Sequence, residues 1–250
     1  MFSILLFYFI FGAIIGSFLN VCIYRLPNGR SIVKPPSACG SCGHRLYPLD
    51  LIPIFSYFLL HGRCRYCGAS YSCRYAVVEF LTGSLFVIIG YNFFLSTRVL
   101  FLFVLTACLI IETFVDLDEM IILDEILVLL FPLGLAYGYY YLPEGIISSL
   151  EGAGVAGVIM LAIFLLSRGG MGAGDVKLAF VIGAWLGFSG SLMFLLLAFI
   201  GGGLIGILLF FFSVKGRKDA IPFGPFLCLS AYITVIYYPY LLKFYWNLFI

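Results

Sequence analysis

Of the 250 residues, 63% are hydrophobic and only 10% are charged, and the formal net charge is +2. A soluble domain carries about 25% charged residues to meet water, so this composition excludes a water-soluble globular protein and makes the bilayer the solvent. The slight positive excess gives no reason to expect a nucleic-acid partner.

In chain order, apolar stretches near the roughly 20 residues a helix needs to cross the hydrocarbon predict helices at about 2–24, 77–95, 98–115, 121–141, 146–166, 175–189, 191–213 and 221–241. Backbone groups in lipid must be satisfied within the segment, and no alternating pattern suggests a barrel. The expected fold is therefore an all-α polytopic membrane protein of about eight transmembrane helices. The first segment has no basic n-region and is followed by Arg25 and Arg30, so it reads as a retained helix rather than a cleaved signal. The sixth is short and contains glycine. The expected division is a first helix over 1–24, a polar loop domain over 25–76 and a multi-helix membrane domain over 77–250.

Orientation follows from lysine and arginine. Arg25, Arg30, Lys34, Arg45, Arg63, Arg65 and Arg74 fall in the 25–76 loop, and Arg168, Lys177, Lys215, Arg217 and Lys218 fall in later loops on the same side. Only Arg98 and Lys243 fall opposite. The positive-inside rule places the basic side in the cytoplasm and both termini outside.

The 25–76 loop carries Cys39-x-x-Cys42 and Cys64-x-x-Cys67, each pair followed by a glycine, Gly43 or Gly68. Two such knuckles suit a tetrahedral four-thiolate site, whose usual occupant is Zn²⁺, and four thiolates leave no open position for catalysis. The expected role is a structural, zinc-ribbon-like centre. A reducing compartment argues against disulfides. His44 and His61 read as surface residues, and Cys22, Cys73, Cys108 and Cys228 as ordinary buried thiols.

Ionisable groups near lipid need a reason, since each costs about 2.5–3.5 kcal/mol at the helix centre. One cluster runs Asp116, Asp118, Glu119, Asp124 and Glu125, between the third and fourth predicted helices. A second, Gly172-Ala173-Gly174-Asp175 followed by Lys177, lies between the fifth and sixth. Both fall on the cytoplasmic side, so Asp116 and Asp175 can meet. Two close carboxyls share a proton, which suits one to activate water and the other to polarise a peptide carbonyl. Gly172 and Gly174 allow close backbone approach beside Asp175. An acid at a helix N-terminus is also favoured without doing chemistry, which suits Asp118, Glu119, Asp124 and Glu125 better than the other two.

Taken together these residues resemble the bacterial type IV prepilin peptidases, which are GxGD aspartyl proteases. Gly172-Ala173-Gly174-Asp175 matches the GxGD element, and Asp116 within Phe114-Val115-Asp116-Leu117-Asp118 matches the first catalytic aspartate. Gly16-Ser17-Phe18-Leu19-Asn20-Val21, Tyr24-Arg25-Leu26-Pro27, the paired cysteines with Ile52-Pro53-Ile54-Phe55-Ser56-Tyr57, and Arg74-Tyr75 with Val78-Glu79 and Gly83 match the family's amino-terminal third. The resemblance implies cleavage of the basic leader of prepilins and pseudopilins at the cytoplasmic face of the inner membrane, followed by N-methylation of the new terminus from S-adenosylmethionine. Its implied partners are these substrate proteins and the lipid bilayer. No G-x-G-x-x-G between strand and helix marks a cofactor site. The loop and Glu79 are the suspects for the cofactor region, while Glu79 is equally readable as an interfacial carboxylate paired with Arg74. Asn20 either bonds within the bundle or marks a helix end. The chain departs from relatives that carry Leu-Pro-Asp after the first aspartate, having Ile122-Leu123-Asp124, which puts a kink there in question. Two other readings are a peptidase without methyl transfer and a membrane transporter or assembly scaffold. Transporters place polar residues near the midplane, whereas these acids gather at one face.

Overall fold

The computed structural model of the chain describes residues 2–94, 96–167, 170–212 and 221–249. Arg168, Gly169, Lys215, Arg217 and Lys218 lie outside the described residues. Among those described, the regular structure is helical: α1 Phe2–Arg25, α2 Phe55–Leu59, α3 Arg74–Asn92, α4 Arg98–Glu119, α5 Asp124–Tyr141, α6 Ile146–Ser167, α7 Ala173–Phe211 and α8 Gly224–Phe249, with a 3-10 turn at Pro48–Asp50.

Every predicted span falls on a helix, but the sixth and seventh share α7. A straight helix of its 39 residues would reach about 58 Å, roughly twice the hydrocarbon thickness. Gly187 divides it, with φ 69° and ψ −177°, a backbone conformation that only a residue without Cβ adopts readily. Among the described residues six helices are long and apolar enough to cross a membrane: α1, α3, α4, α6, α7 and α8. The sixth and seventh expected spans are the two legs of α7 on either side of Gly187, and α5, 18 residues long, opens on Asp124 and Glu125.

The chain forms two compact units, Met1–Ile111 and Glu112–Ile250, with the boundary inside α4. In the first, α1 and α3 meet backbone to backbone. A Cβ on Gly12 would stand 2.8 Å from the Cα of Gly83, and one on Gly16 2.8 Å from the Cα of Glu79. Small residues permit this approach where lipid offers no hydrophobic drive between helices. Asn20 ties the same pair together, its Nδ2 donating to Gly16 O at 3.2 Å and Tyr75 O at 3.1 Å. Phe86 of α3 stacks on Phe103 of α4 at 4.0 Å between ring centres.

In the second unit the buried Trp185 of α7 donates from Nε1 to Leu130 O of α5 at 3.0 Å. A Cβ on Gly134 would stand 2.7 Å from that indole, so the glycine makes the room the ring occupies. This contact fixes the first leg of α7, which carries Asp175, against α5.

Candidate active site and metal centre

Asp116 lies in the last turn of α4, which runs on to Glu119 rather than ending at the expected 115. Met120, at φ 54°, then takes the left-handed turn that glycine more often supplies at a helix end. Leu123 is extended ahead of α5 (φ −83°, ψ 113°). The chain therefore breaks between α4 and α5 with no proline among residues 120–123. Asp175 sits in the first turn of α7, three residues after the extended N-cap Gly172 (φ −76°, ψ 142°). Gly174 is already helical.

Both aspartates belong to the second unit and both are buried, at 5% and 7% exposure. Asp118, Glu119, Asp124 and Glu125 are all exposed, so burial separates the two candidates from these four acids. The carboxylates lie within coulombic reach of one another. Asp116 Oδ2 accepts the amide of Gly224 at 2.9 Å. That amide is one of the first N–H groups of α8, which have no partner inside their own helix, and the positive end of the helix dipole favours an acid there. Asp175 reaches back toward the start of its own helix, with Oδ2 3.4 Å from where a Cβ on Gly172 would stand.

One apolar side chain connects these features. A Cβ on Gly174 would stand 2.9 Å from Ile122 Cβ, and one on Gly224 would stand 3.1 Å from Ile122 Cδ1 and 2.7 Å from Asp116 Oδ2. Ile122 thus packs against both glycines, one beside each aspartate. A cleft of about 270 Å³ opens here, lined by Ile122, Gly172, Gly174, Asp175 and Lys177 among others. At its edge Lys177 Nζ contacts both carboxylate oxygens of Asp124 at 2.9 Å. Neither Gly224 nor Ile122 stood out in the sequence. Pro225 directly after Gly224 was the available signal, because proline favours a helix's first turn.

In the first unit the sulfurs of Cys39, Cys42, Cys64 and Cys67 all lie within 4.8 Å of one another and could hold a metal ion. The two knuckles are built alike. Cys39 N donates to His44 O and Gly43 N to Cys39 O; Cys64 N donates to Ala69 O and Gly68 N to Cys64 O. Gly43 and Gly68 have φ 70° and 71°, the left-handed turn their position suggested. His44 and His61 are exposed, and Cys22, Cys108 and Cys228 are buried, as expected. Cys73 is the exception: it is exposed, at the N-cap of α3. Asp50 braces the second knuckle, accepting from Arg65 Nε at 2.6 Å, Tyr66 Oη at 3.0 Å and the Tyr47 amide at 3.1 Å. Desolvation opposes its charge, but these three donors outweigh it and hold the carboxyl below its usual range.

Glu79 of α3 is buried, and its Oε2 accepts the Ile54 amide at 2.7 Å. Ile54 has φ 65° and ψ −54°, and Phe55 N donates to Pro53 O at 2.6 Å. This is the positive-φ form of the γ-turn, which is rare and strained. The cysteine loop is thereby fastened to α3 through a buried carboxylate and a strained turn.

Residues 10–93 match the Bacterial Peptidase A24 N-terminal domain, and residues 103–207 match the Type IV leader peptidase family. Among curated relatives, the "Prepilin leader peptidase/N-methyltransferase" of Aeromonas salmonicida (strain A449) is 34% identical over 92% of this chain and 89% of its own length. The protein of the same name from Bacillus subtilis (strain 168) is 31% identical over 95% and 96%. That of Pseudomonas aeruginosa is 29% identical over 90% and 88%. No solved structure matches the chain.

Proposed function

Because the chain belongs to the type IV leader peptidase family, we propose that it removes the leader of prepilin-like proteins with Asp116 and Asp175 and then methylates the new amino terminus. The observation carrying the assignment of the pair is selective burial: of the six acids at positions 116, 118, 119, 124, 125 and 175, Asp116 and Asp175 are the two withdrawn from solvent. They also flank a common packing residue, Ile122.

In the proposed chemistry the pair shares one proton. The carboxylate takes a proton from water as the water oxygen adds to the scissile carbonyl carbon. The carboxylic acid hydrogen-bonds to the carbonyl oxygen as it gains charge. Collapse of the tetrahedral adduct breaks the C–N bond, and the departing amine receives a proton from the pair. The α8 amide at Asp116 fixes the orientation of that carboxylate without needing a second side chain. The positive-inside distribution supports a cytoplasmic position for the scissile bond and external termini.

The four cysteines fit Zn²⁺. Tetrahedral geometry with Zn–S near 2.3 Å puts sulfurs roughly 3.8 Å apart, and Cys39 Sγ and Cys67 Sγ are separated by 3.8 Å. The ion's role is to hold a loop that has little core of its own. S-adenosylmethionine supplies the methyl group in the second reaction, which we assign to the 25–76 loop domain; proteolysis belongs to the helices after it. Glu79 does not fit as a direct ligand for that cofactor, since its carboxylate is buried and engaged by the Ile54 amide. Its proposed part in methyl transfer is to hold the loop.

Cleavage of a prepilin-like substrate by membranes carrying Asp116→Asn or Asp175→Asn tests the pair. Each should lower the rate by about a thousandfold or more, and appreciable cutting by either variant rejects the assignment. A transporter or scaffold has no reason to lose peptide cleavage in this way.

A further inference from the structure

Glu112 stands one helical turn before Asp116 on α4, so the two side chains share a face. It is fully buried, with 0% exposure. Its Oε2 accepts the amide of Leu123 at 3.1 Å. Its Oε1 has no hydrogen-bond partner among the described residues, and Asp116, Asp124 and Glu125 all lie within coulombic reach. A sealed carboxyl among three other acids, with one oxygen lacking a donor, is a costly arrangement. The proposed chemistry gives it no part.

We infer that Glu112 is a positioning residue for proteolysis, acting as the hydrogen-bond acceptor that anchors the α4–α5 connection and so holds Ile122 between the glycines beside Asp116 and Asp175. Leu123 immediately follows Ile122, and its amide precedes the regular bonding of α5. Met120 has already left the helical region at φ 54°. The connection therefore depends on Glu112 for the register in which Ile122 packs against Gly174 and Gly224. Glu112 uses its acceptor oxygen rather than a charge, so an uncharged side chain of the same shape serves.

The inference rests on the reading of Asp116 and Asp175 as the reacting pair. Its test is steady-state cleavage of a prepilin-like substrate by the full chain in lipid nanodiscs, with Glu112→Gln, Glu112→Leu, Ile122→Ala and the Leu–Ala double variant. Glu112→Gln keeps the acceptor and should stay within about threefold of wild-type kcat. Glu112→Leu should lower kcat about tenfold, the loss expected for one hydrogen bond, with KM unchanged. Ile122→Ala should reproduce that loss, and the double variant should be no worse than either single one, because both remove the same support. Wild-type kcat in Glu112→Leu or Ile122→Ala overturns the inference, as do a Gln variant as slow as the Leu variant and losses that add. Methyl transfer to a pre-cut substrate reports folding. If Glu112→Leu fails that control, Gln retention and Ile122→Ala loss decide the matter. Asp116→Asn run alongside separates the two readings. Cutting by that variant removes the pair itself, whereas an inert Asp116→Asn beside a fully active Glu112→Leu removes only the role of Glu112.

Discussion

The amide of Gly224 and the carboxylate of Asp116 form a 2.9 Å hydrogen bond across 108 residues of sequence. The bond is possible because residue 224 has no side chain: a Cβ would stand 2.7 Å from Oδ2 and 3.0 Å from Cγ of the same carboxylate. Gly224→Ala should therefore displace Asp116 while leaving the first unit's loop untouched. Displacements near 1 Å at a reacting group cost about a hundredfold in rate, and that is the fall expected in cleavage. Methyl transfer to a pre-cut substrate should continue. Initial rates of both reactions on one preparation check this, and cleavage within threefold of wild type would show that the bond does not position Asp116.

A second expectation concerns the metal. Replacing Cys39 or Cys64 by serine removes one of four sulfurs from a cluster less than 4.8 Å across, and three thiolates hold Zn²⁺ far less firmly than four. Purified wild-type protein should contain about one zinc per chain, and each variant well under half of that, with faster hydrogen exchange across residues 37–71. Elemental analysis gives the count, and unchanged metal content in the variants refutes the site.

Asp50 provides a test with a defined sign. Its folded carboxyl titrates below the ordinary 3.8 because three donors stabilise the anion against desolvation. Such a group contributes stability that is complete above 3.8 and lost only as the pH falls through the lower folded value. Asp50→Asn should accordingly speed zinc loss to a chelator, and the ratio of the two rates should stay constant between about pH 6 and 8. A ratio that changes across that window would assign the effect to some other titrating group.

How far the sequence discloses such a site depends on the range of the signal. The helices were legible because burial in lipid demands long apolar runs, and each run became a helix. The cysteine knuckles were legible because their ligands and glycines are local. The two aspartates were singled out because charge beside lipid is conspicuous. Gly224 and Ile122 were not, since their roles come from contacts with residues far along the chain, and glycine and isoleucine are unremarkable in a membrane helix. Met120 ends α4 in a left-handed turn that its side chain gives no hint of. The break that divides α7 into two legs likewise rests on a single residue's backbone angles, at Gly187. Glu79 was noticed for its charge, but that it holds a strained turn depends on Ile54, 25 residues earlier.

That turn supports the final prediction. A β-branched residue at φ 65° is held at a cost of order 1–3 kcal/mol, and the bond from the Ile54 amide to Glu79 opposes its relaxation. Glu79→Leu removes the acceptor, so the turn should relax and the cysteine loop should lose its attachment to α3. The expected result is a fall in methyl transfer of about tenfold, with cleavage retained, since the aspartates proposed to react belong to the other unit. Ile54→Gly in the Glu79→Leu background should recover part of the loss, because glycine adopts positive φ without a Cβ clash and needs no external support. Ile54→Gly alone should be close to neutral. Methyl incorporation measured across the four proteins completes the cycle. Recovery in the double variant would identify turn geometry as what Glu79 supplies. Equal loss in both Glu79→Leu proteins would mean that the carboxylate itself takes part in methyl transfer, and the anchoring role proposed for it would be wrong.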